Sequence, residues 1–225
     1  MNTELLAADK PADLNRAAAL LQQGALVAVP TETVYGLAAN AADPTAVAKI
    51  FQAKGRPADH PLIVHIPDLA MLEQFAIKIP ATAYQLAAAF WPGPLTLLLH
   101  KAPDVSPVVT GGLDTIGIRM PAHPALLALL QQARLAVAAP SANPYKKLSP
   151  TRASQVLHGM AGKVAAVLDG GPCQHGLEST IVDLTGEQIQ ILRSGPISAT
   201  QLEQVLGCRV TTPLQHQVKV SGNVG

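Results

Sequence analysis

Apolar positions along this chain fall into short runs whose spacing switches repeatedly between the helical and the extended period. Pro11–Gln23 carries Leu14, Ala17, Ala18 and Leu21 on one face and ends at Gly24, which predicts a helix. Ala25–Val29 is a short β-rich run. Asp43-Pro44 supplies an N-cap followed by proline at the first helical position. Val47, Ile50 and Phe51 continue at helical spacing until Gly55, a left-handed C-cap candidate. Leu62–Ile66 is the next strand, and helical patterns follow at Leu69–Ala76 and Ala81–Phe90 until Trp91-Pro92-Gly93-Pro94 breaks them.

The second half continues in the same way. Strands are predicted at Leu95–His100, Thr115–Met120, Leu135–Ala139 and Ala165–Leu168, with a Pro/Gly-punctuated loop over Lys101–Gly112. Helices are predicted at Pro124–Gln132, from Ser149-Pro150-Thr151 to about Met160, and from a Thr200 cap to Leu206. Asp169-Gly170-Gly171-Pro172 is a tight turn, and Ser179–Leu184 with Gln188–Leu192 around Thr185-Gly186 predicts a hairpin. From about Thr211 the chain turns polar and loses its period, so residues 1–208 are expected to form one domain and 209–225 a tail or truncated linker.

Composition narrows the class. The chain has 225 residues, 48% hydrophobic and only 3% aromatic, so Ala, Leu, Val and Ile must pack the core. A net charge of +1 argues against a strongly basic nucleic-acid arm and leaves room for a local basic cleft. Cys173 and Cys208 have neither disulfide-framework nor zinc-site spacing, which points to a reducing compartment. No apolar run is long enough to span a membrane and the N-terminus lacks signal-peptide shape, so a cytoplasmic location is expected.

The candidate chemistry is polar and dispersed. Thr31, Thr33 and Tyr35 leave a strand as alternating hydroxyls, which suits either a small polar ligand or a self-capped turn. Lys54 and Arg56 flank Gly55, either as cations at a helix C-terminus or as an anion clamp. His65 sits in an apolar strand, as a satisfied core histidine or a ligand contact. Arg119, inside TIGIRM, must be paired by an internal carboxylate or by a ligand's. Ser141-Ala142-Asn143 leaves a strand end, as a ligand loop or an ordinary turn. No nucleophile elbow, Walker loop or Rossmann glycine motif is present. Dispersed cations and hydroxyls suit polyanion binding and charge stabilisation, as phosphoryl or nucleotidyl transfer requires.

PTETVYGL, Lys54-Gly55-Arg56, PLIVHI, WPGPLTLLL, TIGIRMPAHP, Ser141-Ala142-Asn143, DGGPCQHGLESTIVDL and ILRSGPI together resemble the YrdC-type threonylcarbamoyl-AMP synthases, over about residues 11–207. The resemblance implies an α/β twist, a strongly bent mixed parallel/antiparallel sheet with helices around a cleft. It implies a nucleotidyltransferase that joins L-threonine, bicarbonate and ATP into L-threonylcarbamoyl-AMP and pyrophosphate for threonylcarbamoyladenosine modification of tRNA. It assigns Thr33, His65, Arg119 and Ser179 to threonine, and Arg56, His60, Thr115, Ser141, Ser149 and Arg193 to ATP. Lys54, Arg56, Ser141 and Asn143 become the catalytic set. Mg²⁺ is expected with ATP, without a dedicated protein cage. A downstream threonylcarbamoyl transferase machinery is the implied partner, and double-stranded RNA binding is the rival from another class. Carbamoyl-adenylate handling in hydrogenase maturation is a second rival, disfavoured because its accessory segments are missing from this sequence.

Two positions depart from the family pattern. His60 stands where the family has Asn, and Pro144-Tyr145-Lys146-Lys147 replaces a Ser-Gly continuation after Asn143. Longer relatives add a linker with a nucleotide-contacting Tyr and a second domain, so this sequence is expected to be a single-domain form or a truncated one.

Overall fold

A computed structural model describes residues 1–212. Its sheet is mixed, and the strand order explains how distant stretches of sequence meet. One edge begins with β1 (Glu4–Ala7), which pairs in parallel with β9 (Ala166–Asp169). β9 pairs in parallel with β2 (Val27–Val29), and β3 (Gly36–Asn40) runs antiparallel to β2. The order then continues through β8 (Val137–Ala138), β4 (Ile63–His65), β7 (Thr115–Arg119), β6 (Leu95–Lys101), β10 (Thr180–Asp183) and β11 (Gln190–Arg193), with β5 (Ala76–Ile77) pairing on β6.

Several helices follow their sequence signals closely. In α2 (Pro44–Lys54) the Asp43 side chain accepts from the Thr45 and Ala46 amides, and Gly55 ends the helix at φ 67°. That left-handed backbone favours glycine, and it turns the chain so that Lys54 and Arg56 lie on either side of one tight bend. Helix α1 (Pro11–Gln22) buries Ala17, Ala18, Leu20 and Leu21, while α6 (Pro124–Ala133) buries Leu126, Leu129 and Leu130 in the same apolar cluster. A larger cluster joins α2 to Leu95, Leu97 and Leu99 of β6. The alternate positions of β6 carry Thr96 and Leu98, and Leu98 packs with Ile63, Ile181 and Leu192. This period-two division separates the main core from the face that carries the polar site.

Some expectations need correction. The Leu69–Ala76 helix is a 3₁₀ turn at Leu69–Met71, a single turn α3 (Leu72–Phe75) and then strand β5, because Ala76 and Ile77 find Lys101 and His100 on the β6 edge. The Leu135–Ala139 strand shortens to β8. The loop at Lys101–Gly112 contains a short helix α5 (Pro107–Thr110) capped by Ser106. Helix α4 (Ala81–Phe90) stands as expected, whereas α7 (Ala153–Met160) starts two residues beyond Thr151. The last helix α8 (Ala199–Leu206) is capped by Ser198 in a reciprocal capping box with Gln201, not by Thr200.

The expected tail falls largely outside the described residues. Within them, the Thr211 amide donates to the Ile189 carbonyl and the Ile191 amide to the Thr211 carbonyl, so Thr211 lies beside β11. No helix among the described residues is long and apolar enough to cross a membrane.

Candidate active site

Chain segments far apart in sequence converge on the side of the sheet opposite the main core. β4 and β7 lie in parallel register with His65 opposite Arg119, and β6 brings Thr96 opposite Arg119 from the other side. β10 pairs with the start of β6, which sets Ser179 beside Thr96 at 2.7 Å between hydroxyls. The Gly36–Ser141 bridge and the Ala142 amide bond to the Tyr35 carbonyl hold the Ser141 loop against the threonine-rich turn.

That turn resolves the two readings of its hydroxyls. Thr31 Oγ1 accepts from the Thr33 and Val34 amides and donates to the Val34 carbonyl, so Thr31 caps its own turn. Thr33 Oγ1 faces Arg119 and accepts from Nη1 at 3.0 Å. Tyr35 does not join them. Its hydroxyl donates to the Gly171 carbonyl at 2.7 Å and accepts from the Gly170 amide, and burial raises its pKa. Of the three hydroxyls only that of Thr33 therefore bonds to Arg119, and Tyr35 leaves the cleft altogether.

Arg119 is 2% exposed and carries an internal carboxylate partner after all. Its Nη2 pairs with Glu32 Oε1, Nε donates to the Gly93 carbonyl, and Glu32 Oε2 accepts from the Ala122 amide at 2.7 Å. Burial pushes the Arg119 pKa down and the Glu32 charge opposes that. Beside it, burial and the Arg119 charge hold His65 near pKa 3, a neutral ring with Nδ1 3.2 Å from the Ile63 carbonyl. Arg193 is fixed from the other side: Nε and Nη2 donate to the carbonyl and hydroxyl of Ser179, and Nη1 to Glu178 at 3.1 Å.

The clamp around Gly55 has a different build from an open pair of cations. Lys54 is buried, and its ammonium donates to the carbonyls of Ser141 and Asn143, at 2.6 Å for the latter. It therefore ties α2 to the Ser141 loop. Burial first, and Arg56 second, lower its pKa to about 7, opposed by Glu178. Arg56 donates from Nη2 to the Pro61 carbonyl, while its buried Nε and the buried Asn143 Oδ1 have no protein partner. Buried polar atoms left over beside a cleft are places for ligand or water.

Thr33, His65, Arg119, Ser141, Ser179 and Arg193 thus line one small cleft together with Thr31, Ile63 and Glu178. Other candidates lie elsewhere. Ser149 lines a neighbouring cavity of about 690 Å³ with Asn143, Lys147 and Thr151. Thr115 begins β7, so it is roughly 13 Å along the strand from Arg119. His60 meets Tyr145 edge-on at 5.6 Å, so the two departures from the family pattern touch each other. The Tyr145 amide donates to the Lys54 carbonyl, which seats that altered loop on the end of α2. Glu32 and Glu178 were missed as site residues. The need of Arg119 for a carboxylate was the signal for Glu32; Glu178 had none beyond its place before Ser179. Among the described residues no group of three or more His, Cys, Asp or Glu is placed to hold a metal.

The Sua5/YciO/YrdC family model, described as telomere recombination, matches residues 19–195. The chain belongs to that family. It is 51% identical over 191 residues to a threonylcarbamoyl-AMP synthase of Pyrococcus abyssi, a match covering 85% of this chain and 56% of that protein. The threonylcarbamoyl-AMP synthase of Bacillus subtilis is 49% identical over 206 residues, covering 91% of this chain and 59% of that one. The chain therefore spans less than two thirds of either relative. A crystal structure of P. abyssi Sua5 complexed with L-threonine superposes with TM-score 0.93 at 44% identity, covering 99% of this chain and 67% of the other. E. coli YciO shares the fold at TM-score 0.78 and 22% identity, covering 90% of this chain and all of its own. These relatives bear out the family and the mixed α/β fold.

Proposed function

We propose that the chain makes L-threonylcarbamoyl-AMP and pyrophosphate from L-threonine, bicarbonate and ATP, for threonylcarbamoyladenosine formation in tRNA. One observation carries this reading. The buried guanidinium of Arg119 and the partly buried one of Arg193 converge with the buried hydroxyls of Thr33 and Ser179 on one cleft, and Lys54 donates to the carbonyl of Ser141 in its wall. A small zwitterion and a polyphosphate are the ligands that such a cleft recognises at its two ends. The names of the relatives and the threonine complex of P. abyssi Sua5 support the same substrates.

Threonine is assigned to Thr33, His65, Arg119 and Ser179. Arg119 offers its guanidinium to the carboxylate, and neutral His65 adds a hydrogen-bonding ring without adding charge. The amine attacks bicarbonate-derived carbon and water leaves; a carbamate oxygen then attacks the α-phosphorus and pyrophosphate leaves. Arg56, Ser141, Asn143 and Arg193, with Lys54 behind them, align the carbamate and phosphates and neutralise their charge. His60, Thr115 and Ser149 are assigned to more distant parts of the nucleotide. Mg²⁺ would arrive as part of the Mg·ATP substrate and would screen its phosphates; the unpartnered Asn143 Oδ1 would accept from waters of its hydration shell. A cytoplasmic setting and delivery to a threonylcarbamoyl transferase belong to this reading, as does a catalytic unit within residues 1–208.

The test is pyrophosphate release with threonine and bicarbonate supplied together, singly and not at all, with valine as a substitute for threonine. Release should need both substrates, and valine should fail, because it leaves the polar pocket unpaired. Tight RNA binding without adenylate formation would replace this reading with a binding module.

A further inference from the structure

The cleft is filled by its own charges. The cleft is narrow, with about 30 Å³ between its lining side chains, and it opens to solvent. Glu178 shares this lining with Arg193, so an anion that reaches the Arg193 guanidinium meets a carboxylate already bonded to it. Two carboxylates stand on the guanidiniums, and they differ in how they are held. Glu32 is buried, with its second oxygen engaged by the Ala122 amide. Glu178 stands at the rim, its side chain 21% exposed, beside the exposed Leu177.

We propose that Glu178 is a built-in counter-ion occupying the place of substrate phosphate, and that a nucleotide binds by displacing this carboxylate from Arg193. The inference rests on the polyphosphate end assigned above. Three observations support it. First, Glu178 Oε2 accepts from Arg193 Nη1 at 3.1 Å within the cleft lining. Second, its charge reaches three of the cations: it opposes burial at Lys54, at Arg56 and at Arg193. Third, Arg193 does not depend on Glu178 for its position, because Ser179 accepts from both Nε and Nη2.

The backbone shows which part moves. A side chain at Gly195 would come within 2.6 Å of the Glu178 carbonyl and 2.5 Å of the Thr180 amide nitrogen. The Arg193–Gly195 turn thus clasps the main chain of residues 178–180, and displacement is a swing of the Glu178 side chain toward solvent. The carboxylate keeps the cations compensated in the empty cleft and makes every incoming phosphate compete for them. Affinity for the nucleotide is therefore set below what the cations alone would provide.

The test is calorimetric titration of tripolyphosphate, and of ATP without Mg²⁺, into the wild type, Glu178→Gln and Glu178→Ala, with thermal unfolding of each as a fold control. Both variants should bind both anions at least fivefold more tightly. Unchanged or weaker binding in folded variants overturns the proposal and leaves the proposed function standing. If neither polyphosphate binds the wild type or a folded variant, the polyphosphate assignment itself fails. Should both variants fail to fold, the wild type decides: the ¹³C side-chain carboxyl signal of Glu178 must shift on saturation with tripolyphosphate, and an unmoved signal overturns the inference.

Discussion

Consider Glu32→Gln, which keeps the shape of the side chain and removes its charge. Two donors now share one Glu32 carboxylate, Arg119 Nη2 on Oε1 and the Ala122 amide on Oε2. A glutamine has one carbonyl oxygen, so one of these donors must instead face an NH₂ group. The Arg119 guanidinium also loses its counter-charge while only 3% of its side chain is exposed. Removing one partner of a buried pair costs about 3–5 kcal/mol, because the remaining charge is left uncompensated. Set against a typical total of about 5–15 kcal/mol, that is a large fraction of the stability. For a chain of this length it corresponds to a fall in melting temperature of roughly 6–20 °C.

The assay is urea unfolding of the wild type, Glu32→Gln, Arg119→Met and the double variant. If the loss comes from an orphaned charge, the double variant should be less destabilised than the sum of the singles, by about 1–3 kcal/mol. A loss below about 1 kcal/mol for Glu32→Gln, or strict additivity in the cycle, would refute the claim that the pair is tightly coupled.

Arg119→Ala should weaken threonine binding by about 1.5–3 kcal/mol, the range for hydrogen bonds to a charged group. ATP binding measured without threonine should stay nearly constant; the reverse pattern would mean that the two ends of the cleft are exchanged. Lys54 has a folded pKa of about 7, below its ordinary value of 10.5, so the unfolded chain binds more protons between those limits. Stability should therefore rise with pH across roughly 7 to 10.5, by a few kcal/mol from this group. Lys54→Met should flatten that rise in pH-dependent urea unfolding, and an unchanged slope would show that Lys54 titrates normally.

What could be read from sequence was mostly local chemistry. Asp43-Pro44 and Gly55 bound α2 as their side-chain and backbone preferences require. Strand β3 was invisible because Gly36–Asn40 has no β-branched or aromatic residue, and its pairing comes from β2 on one side and β8 on the other. The same holds for β1, whose four residues are extended because β9 offers an edge. At α8 the sequence held a better signal than Thr200, the Ser198-x-x-Gln201 pattern whose reciprocal bonds form the cap.

The candidate site divides along the same line. Arg119 in an apolar strand demanded a carboxylate, a requirement that needs only the cost of burying a charge. Which carboxylate answers it depends on the order β3-β8-β4-β7, which brings Glu32 to Arg119 across 87 positions of sequence. Tyr35 shows the reverse error. Hydroxyls spaced two apart share a face only on an extended strand, but Thr31 bonds to Val34 and curls the chain. Tyr35 is thereby sent to the Asp169–Gly171 turn while Thr33 stays at the guanidinium. The residue types that define this chemistry are thus legible one by one. Their pairing is not, because it is a property of strand order, and in this fold strand order decides which charges the empty cleft keeps compensated.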